Sequence, residues 1–264
     1  MSFQPIIPLS GLTGWQFLQR TLPAQQEAFS NSVVVKRATE TFREQIGQIR
    51  TAEQLVENRQ LREVALGAFG LDDDIDAKAF IRQILDSPSS DPSALANRLT
   101  DNRYKAMAKT FGFGELGGPF TGLSTAMEDV ITRYEARQFE RAVGNQDNTM
   151  RLAMNARQSL EDVARDVDGT DARWFSIMGN APLRQVIETA MGFSSRIGAL
   201  DIDQQLEQFT DRAERLFGSS DPAEMLTDEN HEKLIRLFLV RSEAAAISTT
   251  SGAQVALTLL QNIA

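Results

Sequence analysis

The feature that most constrains the fold of this 264-residue chain is an internal duplication. Residues 58–75 and 180–197, aligned at a shift of 122 positions, share seven identical residues in eighteen. Average amino-acid usage gives about one identity by chance over that length. The motif Ser-Ser-Asp-Pro then occurs at residues 89–92 and again at 219–222. Because the matches keep the same order along the chain, the sequence predicts two copies of one folding unit.

A further motif, Leu-Thr-Asp, recurs at residues 99–101 and 226–228. The residues shared by the two copies are those that begin, end or fill a helix. Asp-Pro and Thr-Asp start helices, glycine ends them, and Leu, Val and Ala recur at core spacing. Arg62 matches Arg184, and pairing with carbonyl groups at a helix end or with a carboxylate is favoured over anion binding. The duplication therefore preserves a folding plan rather than a reaction centre.

Helical periodicity extends over most of the chain, and the period-two pattern of strands is nearly absent. The expected fold is all-α, a multihelical array of two topologically similar halves that divide near residues 112–122. The predicted parts are an apolar N-terminal arm (1–22), helical repeat 1 (23–115), helical repeat 2 (116–245) and a separate C-terminal helix (246–264).

The predicted arm combines helix-breaking and apolar residues. Pro5, Pro8, Gly11 and Gly14 punctuate a segment that is otherwise rich in Ile, Leu, Trp and Phe, so that an irregular conformation is expected. Linkers are usually polar, and an arm this apolar is expected to pack against something. Docking on the chain's own core is favoured, and a partner-binding segment is the alternative.

Composition excludes several classes of function. Acidic residues number 36 and basic residues 27, a net charge of −9 that repels phosphate backbones and anionic membranes. The absence of cysteine excludes disulfides, thiolate zinc sites and cysteine nucleophiles. No apolar run approaches the roughly 20 residues that cross a bilayer, and the N-terminus lacks the pattern of a secretory signal. A soluble protein that neither binds nucleic acid nor inserts into membranes is expected.

Three patterns resemble residues of binding or catalytic sites but lack the neighbouring residues or elements that such sites require. Gly112–Gly117 matches G-x-G-x-x-G, but a helical pattern precedes it where a dinucleotide site needs a strand, so a linker between the repeats is predicted. Asp72–Asp76 suggests calcium, but Ala77 and Gln83 occupy the positions of the required glycine and glutamate, which favours a solvated helix cap. His231 is the only histidine and is expected to be exposed or half-buried. No catalytic, cofactor or metal site is predicted, and an enzyme is the least favoured reading.

Several short stretches carry a family resemblance: Leu-Ser-Gly-Leu-Thr-Gly-Trp-Gln-Phe-Leu-Gln-Arg-Thr at residues 9–21, Ala-Leu-Gly-Ala-Phe-Gly-Leu at 65–71 and Arg-Gln-Phe-Glu at 137–140. With them the chain resembles, over nearly its whole length, an alphaproteobacterial family, family twelve-seventeen of the domains of unknown function. The resemblance implies an all-helical protein with two similar halves. Family members tend to be encoded among flagellar genes, and some are described as basal-body rod proteins. The Ala-Asn-Asn-Leu-Ala-Asn-like N-terminal pattern of rod and hook proteins is absent from this sequence.

The chain is therefore predicted to be a non-enzymatic structural or interaction protein associated with the bacterial flagellum, in its assembly or basal structure. It is expected in the cytoplasm, or at the flagellum without a cleaved signal peptide. The alternatives are an export-chaperone-like binder of a flagellar subunit and a helical small-ligand or sensor protein. The expected partner is a protein such as a flagellar component, with no cofactor, and the oligomeric state is left open. The candidate partner-binding residues lie in the two terminal segments: Trp15, Phe17, Leu18, Val255, Leu259 and Leu260.

Overall fold

The structure, a computed structural model, describes residues 3–261, with side chains for residues 3–194 and 196–246. Within these residues it contains thirteen α-helices and no β-strand, which confirms the predicted all-α class. The helices are α1 (Gly11–Ser30), α2 (Val33–Gln45), α3 (Ala52–Glu57), α4 (Arg59–Ala68), α5 (Lys78–Leu85), α6 (Leu95–Arg98), α7 (Asn102–Phe111), α8 (Ser124–Gly144), α9 (Asn148–Asp166), α10 (Thr170–Gly179), α11 (Ala181–Met191), α12 (Ile202–Phe217) and α13 (Asp228–Gln261). Short 3-10 turns occur at Ile46–Gln48, Asp72–Asp74, Phe120–Gly122, Ser195–Ala199 and Pro222–Leu226.

The chain forms two compact units. The first consists of Gln19–Gln146 with the N-terminal segment up to Ile6, and the second consists of Ile7–Leu18 with the chain from Asp147 onward. The sequence places the division at residues 115–116, about one helix earlier. The difference is due to α8, which opens the predicted second repeat but packs on α2 and α4 of the first unit. Compact units and sequence repeats thus divide the chain at different points.

In the first unit α4 is central, and it contacts α2, α3 and α8. Its start is set locally, because the Asn58 side chain accepts the N–H groups of the second and third helical residues. Leu61, Val64 and Leu66 are almost completely buried. Gly67 allows close packing, since a Cβ there would lie 2.8 Å from the ring of Tyr134 on α8.

In the second unit α11 is central and contacts α9, α10 and α13. Asn180 caps it by accepting an N–H of its first turn. Trp174 of α10 is fully buried, and its ring centroid lies 5.4 Å from that of Phe209 on α12. Phe238 of α13 is buried as well, so that this unit has an aromatic core.

The prediction of an irregular arm over residues 1–22 is wrong from Gly11 onward. There α1 begins, and it continues through Pro23 to its end at Ser30. Proline and glycine weaken a helix but do not prevent one whose apolar face is buried. Leu18 and Phe29 of α1 are both buried. Tertiary packing therefore outweighs the local helix-breaking signal.

The segment before α1 folds back on the protein. The Ile6 N–H donates to Gln25 Oε1 at 2.7 Å, and the Gln25 amide donates to the Ile6 carbonyl at 3.2 Å. The Gln146 amide donates to the Pro5 carbonyl at 2.7 Å. Pro5 and Gln25 are buried. Docking of this segment on the chain's own core, the favoured alternative, is confirmed.

One helix boundary also differs from the prediction. The separate C-terminal helix expected at 246–264 is instead part of α13, which runs without a break from Asp228 to Gln261. The serine and threonine residues at 248–251 have only moderately low helix propensity, too little to end a helix by themselves.

Candidate partner-binding surfaces

The predicted binding residues in the two terminal segments differ in their exposure to solvent. Leu18 is about 1% exposed and packs in the interior, so it offers no free surface. Trp15 and Phe17 are half-buried on α1. Val255, Leu259 and Leu260 belong to the end of α13, whose side chains lie outside the described residues. Partner binding by Trp15, Phe17 and the C-terminal residues stays a prediction.

The paired arginines act as the sequence predicts. Arg62 donates to the carbonyl of Val56, the last but one residue of α3, and Arg184 reaches the equivalent carbonyl of Met178 on α10. Arg184 also forms an ion pair with Glu188, with the two charged groups 2.6 Å apart. A cation is favourable beside the carbonyl groups at a helix C-terminus. Both guanidinium groups therefore connect the end of one helix to the next helix.

The acidic residues at 72–74 form hydrogen bonds to other helices and do not form the predicted helix cap. Asp72 accepts hydrogen bonds from Gln138 and Arg141 of α8, each at 2.9 Å. Asp74 accepts the Tyr104 hydroxyl of α7 at 2.6 Å. Burial, and then the bond to Asp74, raise the pKa of Tyr104. The N-cap of α5 is Ala77, which has no capping side chain, so these carboxylates connect the 3-10 turn to two helices.

His231 is buried, contrary to the expected exposed or half-buried position. It is about 8% exposed, and its Nε2 atom has no hydrogen-bond partner. Burial and the nearby positive charge of Arg157 lower the pKa of His231 below its ordinary value. Over the described part of the chain, no three His, Asp or Glu residues are grouped to hold a metal ion. None of the described helices is both long and apolar enough to span a membrane.

The glycine-rich segment 112–119 forms a fixed loop after α7. Gly112 ends that helix in the left-handed conformation (φ 65°). The loop then passes so close to residues 86–88 that a Cβ on Gly114 would lie 2.8 Å from the carbonyl carbon of Ser87. The Glu115 carboxylate accepts the Ser89 N–H at 2.6 Å. The loop is thereby attached to the turn that contains the first Ser-Ser-Asp-Pro motif.

That turn is built by local hydrogen bonds. The Asn97 amide donates to the carbonyls of Pro88 (2.9 Å) and Asp91 (2.8 Å). The Asp91 carboxylate accepts the N–H and the hydroxyl of Ser93, at 2.8 and 2.7 Å. Residues 89–93 are nevertheless all exposed. Their backbone is held in place while their side chains remain free to meet a partner.

Leu116 is the most exposed large apolar side chain among the described residues, with a relative accessibility of 101%. It follows Glu115 directly, in the loop that is attached to the turn. We call residues 89–93 and 115–117 the turn–loop face. A fully exposed leucine on a loop fixed by hydrogen bonds offers an ordered apolar contact, and binding residues are frequent on such loops. Sequence reasoning missed this face, although an isolated leucine among glycines, outside any helical pattern, was a usable signal.

The second Ser-Ser-Asp-Pro motif is covered by side chains of its own unit. The Trp174 indole N–H donates to the Ser220 carbonyl at 2.8 Å. The Arg173 guanidinium donates to the Asp221 carboxylate at 2.7 Å. Pro222 is buried. All four residues are exposed in the first unit, whereas in the second Ser220 is exposed, Ser219 and Asp221 are half-buried and Pro222 is buried.

Comparison with known proteins gives one matching family and one similar crystal structure. The model of a family described as "Protein of unknown function (DUF1217)" matches residues 68–225. The chain belongs to this family. The X-ray crystal structure of the Agrobacterium tumefaciens protein AGR_C_984 is also similar, with a TM-score of 0.70 and 27% sequence identity over 91% of this chain and 98% of that chain. No curated protein matches the chain. The family resemblance noted in the sequence is confirmed.

The DUF1217 match includes both Ser-Ser-Asp-Pro turns and all of the turn–loop face. It also includes α8, the helix that contacts the central helix of the first unit. The N-terminal segment with Trp15 and Phe17 and the end of α13 lie outside the matched range. The turn–loop face thus belongs to the part of the chain that matches the family.

Proposed function

We propose that this DUF1217 protein is a non-enzymatic, protein-binding helical module that serves the bacterial flagellum, in its assembly or basal structure. The observation that carries protein binding is the turn–loop face, where a fully exposed leucine stands on a loop fixed by hydrogen bonds. The flagellar setting rests on the family resemblance in the sequence. The charged residues singled out by the sequence support a scaffold, because Arg62, Arg184 and Asp72 are all used to join helices.

We further propose that the two helical halves arose by duplication of one unit. Asn58 and Asn180 each end one helix and cap the next. Gly70 and Gly192 each follow a central helix with positive φ, 67° and 73°. These pairs of residues match in sequence and have the same local role, which supports a common origin of the two halves. A difference between the two copies then shows where one half has acquired another role.

A deletion strain tests the proposed function. Loss of the gene is expected to reduce swimming, and the wild-type chain is expected to restore it. A Leu116→Ser chain should restore less, because the contact on the turn–loop face is removed. Leu123→Ser is the matched control, since Leu123 is another exposed leucine of the same unit (55%) but lies outside the face. Normal swimming of the deletion strain would refute the flagellar role.

Affinity capture separates protein binding from the flagellar setting. The full chain, used as bait in an extract of the native bacterium, is expected to retain a flagellar component that the Leu116→Ser bait loses and the Leu123→Ser bait keeps. Equal recovery with all three baits would show that the turn–loop face is not the contact.

A further inference from the structure

We infer that the turn–loop face binds a partner segment that presents an arginine beside an aromatic side chain. The inference deepens the proposed function and rests on the proposed equivalence of the two Ser-Ser-Asp-Pro turns. The second turn shows which side chains complete such a turn, and the first turn lacks them.

The two turns share the hydrogen bond that their aspartate accepts. The Asp91 carboxylate accepts the N–H of Ser93 two residues on, and the Asp221 carboxylate accepts the N–H of Ala223 in the same way. In each case the aspartate precedes a proline and closes an Asx-type turn. A side-chain arrangement that fits one turn is therefore a guide to what fits the other.

The cover of the second turn consists of two neighbouring residues of α10. Arg173 pairs with the Asp221 carboxylate, and both side chains are largely removed from solvent (19% and 30% exposed). The Trp174 ring is fully buried, and its N–H satisfies the Ser220 carbonyl. This pair supplies a charge-assisted hydrogen bond together with a large apolar surface.

The first unit has no such pair at the aligned positions. A shift of 122 places Thr51 opposite Arg173 and Ala52 opposite Trp174. Thr51 is occupied as the N-cap of α3, where it forms a capping box with Gln54. Ala52 is buried and has no group that could reach a neighbouring turn. The first unit therefore does not supply this pair from the positions that align with α10, and its turn is held by Asn97 instead.

The turn–loop face has the groups that such a partner requires. Hydrogen bonds from Ser93 lower the pKa of Asp91, so its carboxylate is charged at neutral pH. Both bonds end on Oδ1, so that Oδ2 is available to a guanidinium. Pro92 is exposed where its counterpart Pro222 is buried, and the fully exposed Leu116 lies on the loop that is attached to the same turn through Glu115 and Ser89. Arginine and tryptophan are also the side chains that dominate protein contacts of this kind.

The test uses a peptide with the sequence of residues 168–179 of this chain, which contains Arg173 and Trp174. The peptide is titrated into the isotope-labelled full chain and followed by amide NMR shifts. Shifts centred on residues 89–93 and 115–117 are expected at about 1 mM peptide, the concentration range of a weak site. No shift at this concentration, or shifts confined to residues 219–222, would overturn the inference.

Matched variants define the chemistry. Asp91→Asn in the chain, or Arg173→Gln in the peptide, is expected to weaken binding about tenfold, because the charge-assisted bond is lost. Asp73→Asn is the control, since it removes the same charge from another exposed aspartate of the same unit. Equal weakening by Asp73→Asn would indicate general charge attraction and would overturn the inference. If the peptide fails while Leu116→Ser still abolishes partner capture, the proposed function stands and only the partner chemistry is wrong.

Discussion

Residues 89–92 and 219–222 have the same sequence and different surroundings. In both turns the aspartate accepts the N–H two residues on, which is a local property of the sequence. The first turn is otherwise held by Asn97 and remains exposed, whereas the second is closed by two side chains of α10, nearly fifty residues away. The comparison teaches that a motif can determine the shape of a turn while distant residues determine whether its surface is free.

Trp174→Ala is expected to have the largest effect, because it uncovers the second turn and removes a fully buried ring. A loss of about 4 kcal/mol in the free energy of unfolding is expected, typical of a buried aromatic residue. Urea unfolding followed by circular dichroism measures it. Phe175→Ala is the control, since Phe175 is the next residue and is 38% exposed. Comparable losses in the two variants would show that the cover on the second turn is not special.

Gly114→Ala disturbs the first turn from the loop side. The added Cβ would meet backbone atoms of residues 86–88, which cannot move away as a flexible side chain can. We expect a loss of about 2 kcal/mol in the free energy of unfolding, in the range of overpacked sites. Gly122→Ala is the control, because a Cβ at Gly122 would meet no atom within 4 Å. If both variants unfold at the same urea concentration, the loop is not fixed against the turn.

Asp221→Asn and Asp91→Asn compare the turns directly. Asp221 loses a partly buried ion pair with Arg173, and a loss of about 1 kcal/mol is expected. Asp91 has no such partner, and no measurable change in the unfolding midpoint is expected for its variant. Urea unfolding of the two proteins in parallel tests the difference. Equal midpoints would mean that the Arg173 cover adds no stability to the second turn.

Acidification should affect the second unit through its buried histidine. The folded-state pKa of His231 is lowered by burial and by Arg157, so that the unfolded chain takes up a proton at a higher pH than the folded chain. Stability is therefore complete above the ordinary pKa of histidine and falls as pH decreases below it. After correction for the intrinsic, base-catalysed exchange rate, the protection of amides near α13 should decrease between pH 7 and about 5.5, and His231→Gln should reduce this dependence. An unchanged dependence in the variant would assign the effect to carboxylates.

Local signals predicted several helix starts, although the Asp-Pro pair at 91–92 is followed by a turn and α6 begins only at Leu95. The Thr-Asp pairs at 100–101 and 227–228 mark the start of α7, which Asp101 caps, and the start of α13. These signals succeed because a cap and its N–H groups lie within three residues of each other, and no tertiary contact is needed to bring them together. The same reasoning found the helix-end role of Arg62, which reaches only six residues back.

Contacts between residues that are far apart in the chain could not be predicted from the sequence. The acidic run at residues 72–74 gave no indication that it would bind α7 and α8, which begin about 30 and 50 residues later. His231 is expected from the sequence to be exposed or half-buried, because one polar residue in a helical pattern carries no information about what packs over it. Leu116 stands out in the sequence as an isolated leucine among glycines, but only the structure shows that its loop is attached to a turn at Ser89.

The sequence by itself determined an all-helical chain and local helix starts such as the one capped by Asp101, because each depends on hydrogen bonds and apolar spacing over a few neighbouring residues. Only the tertiary structure decided that α1 continues through Pro23, that α8 packs on α4, and that one of two identical turns is covered. These outcomes depend on side chains that are far apart in the sequence, and their burial is a property of the whole packed unit.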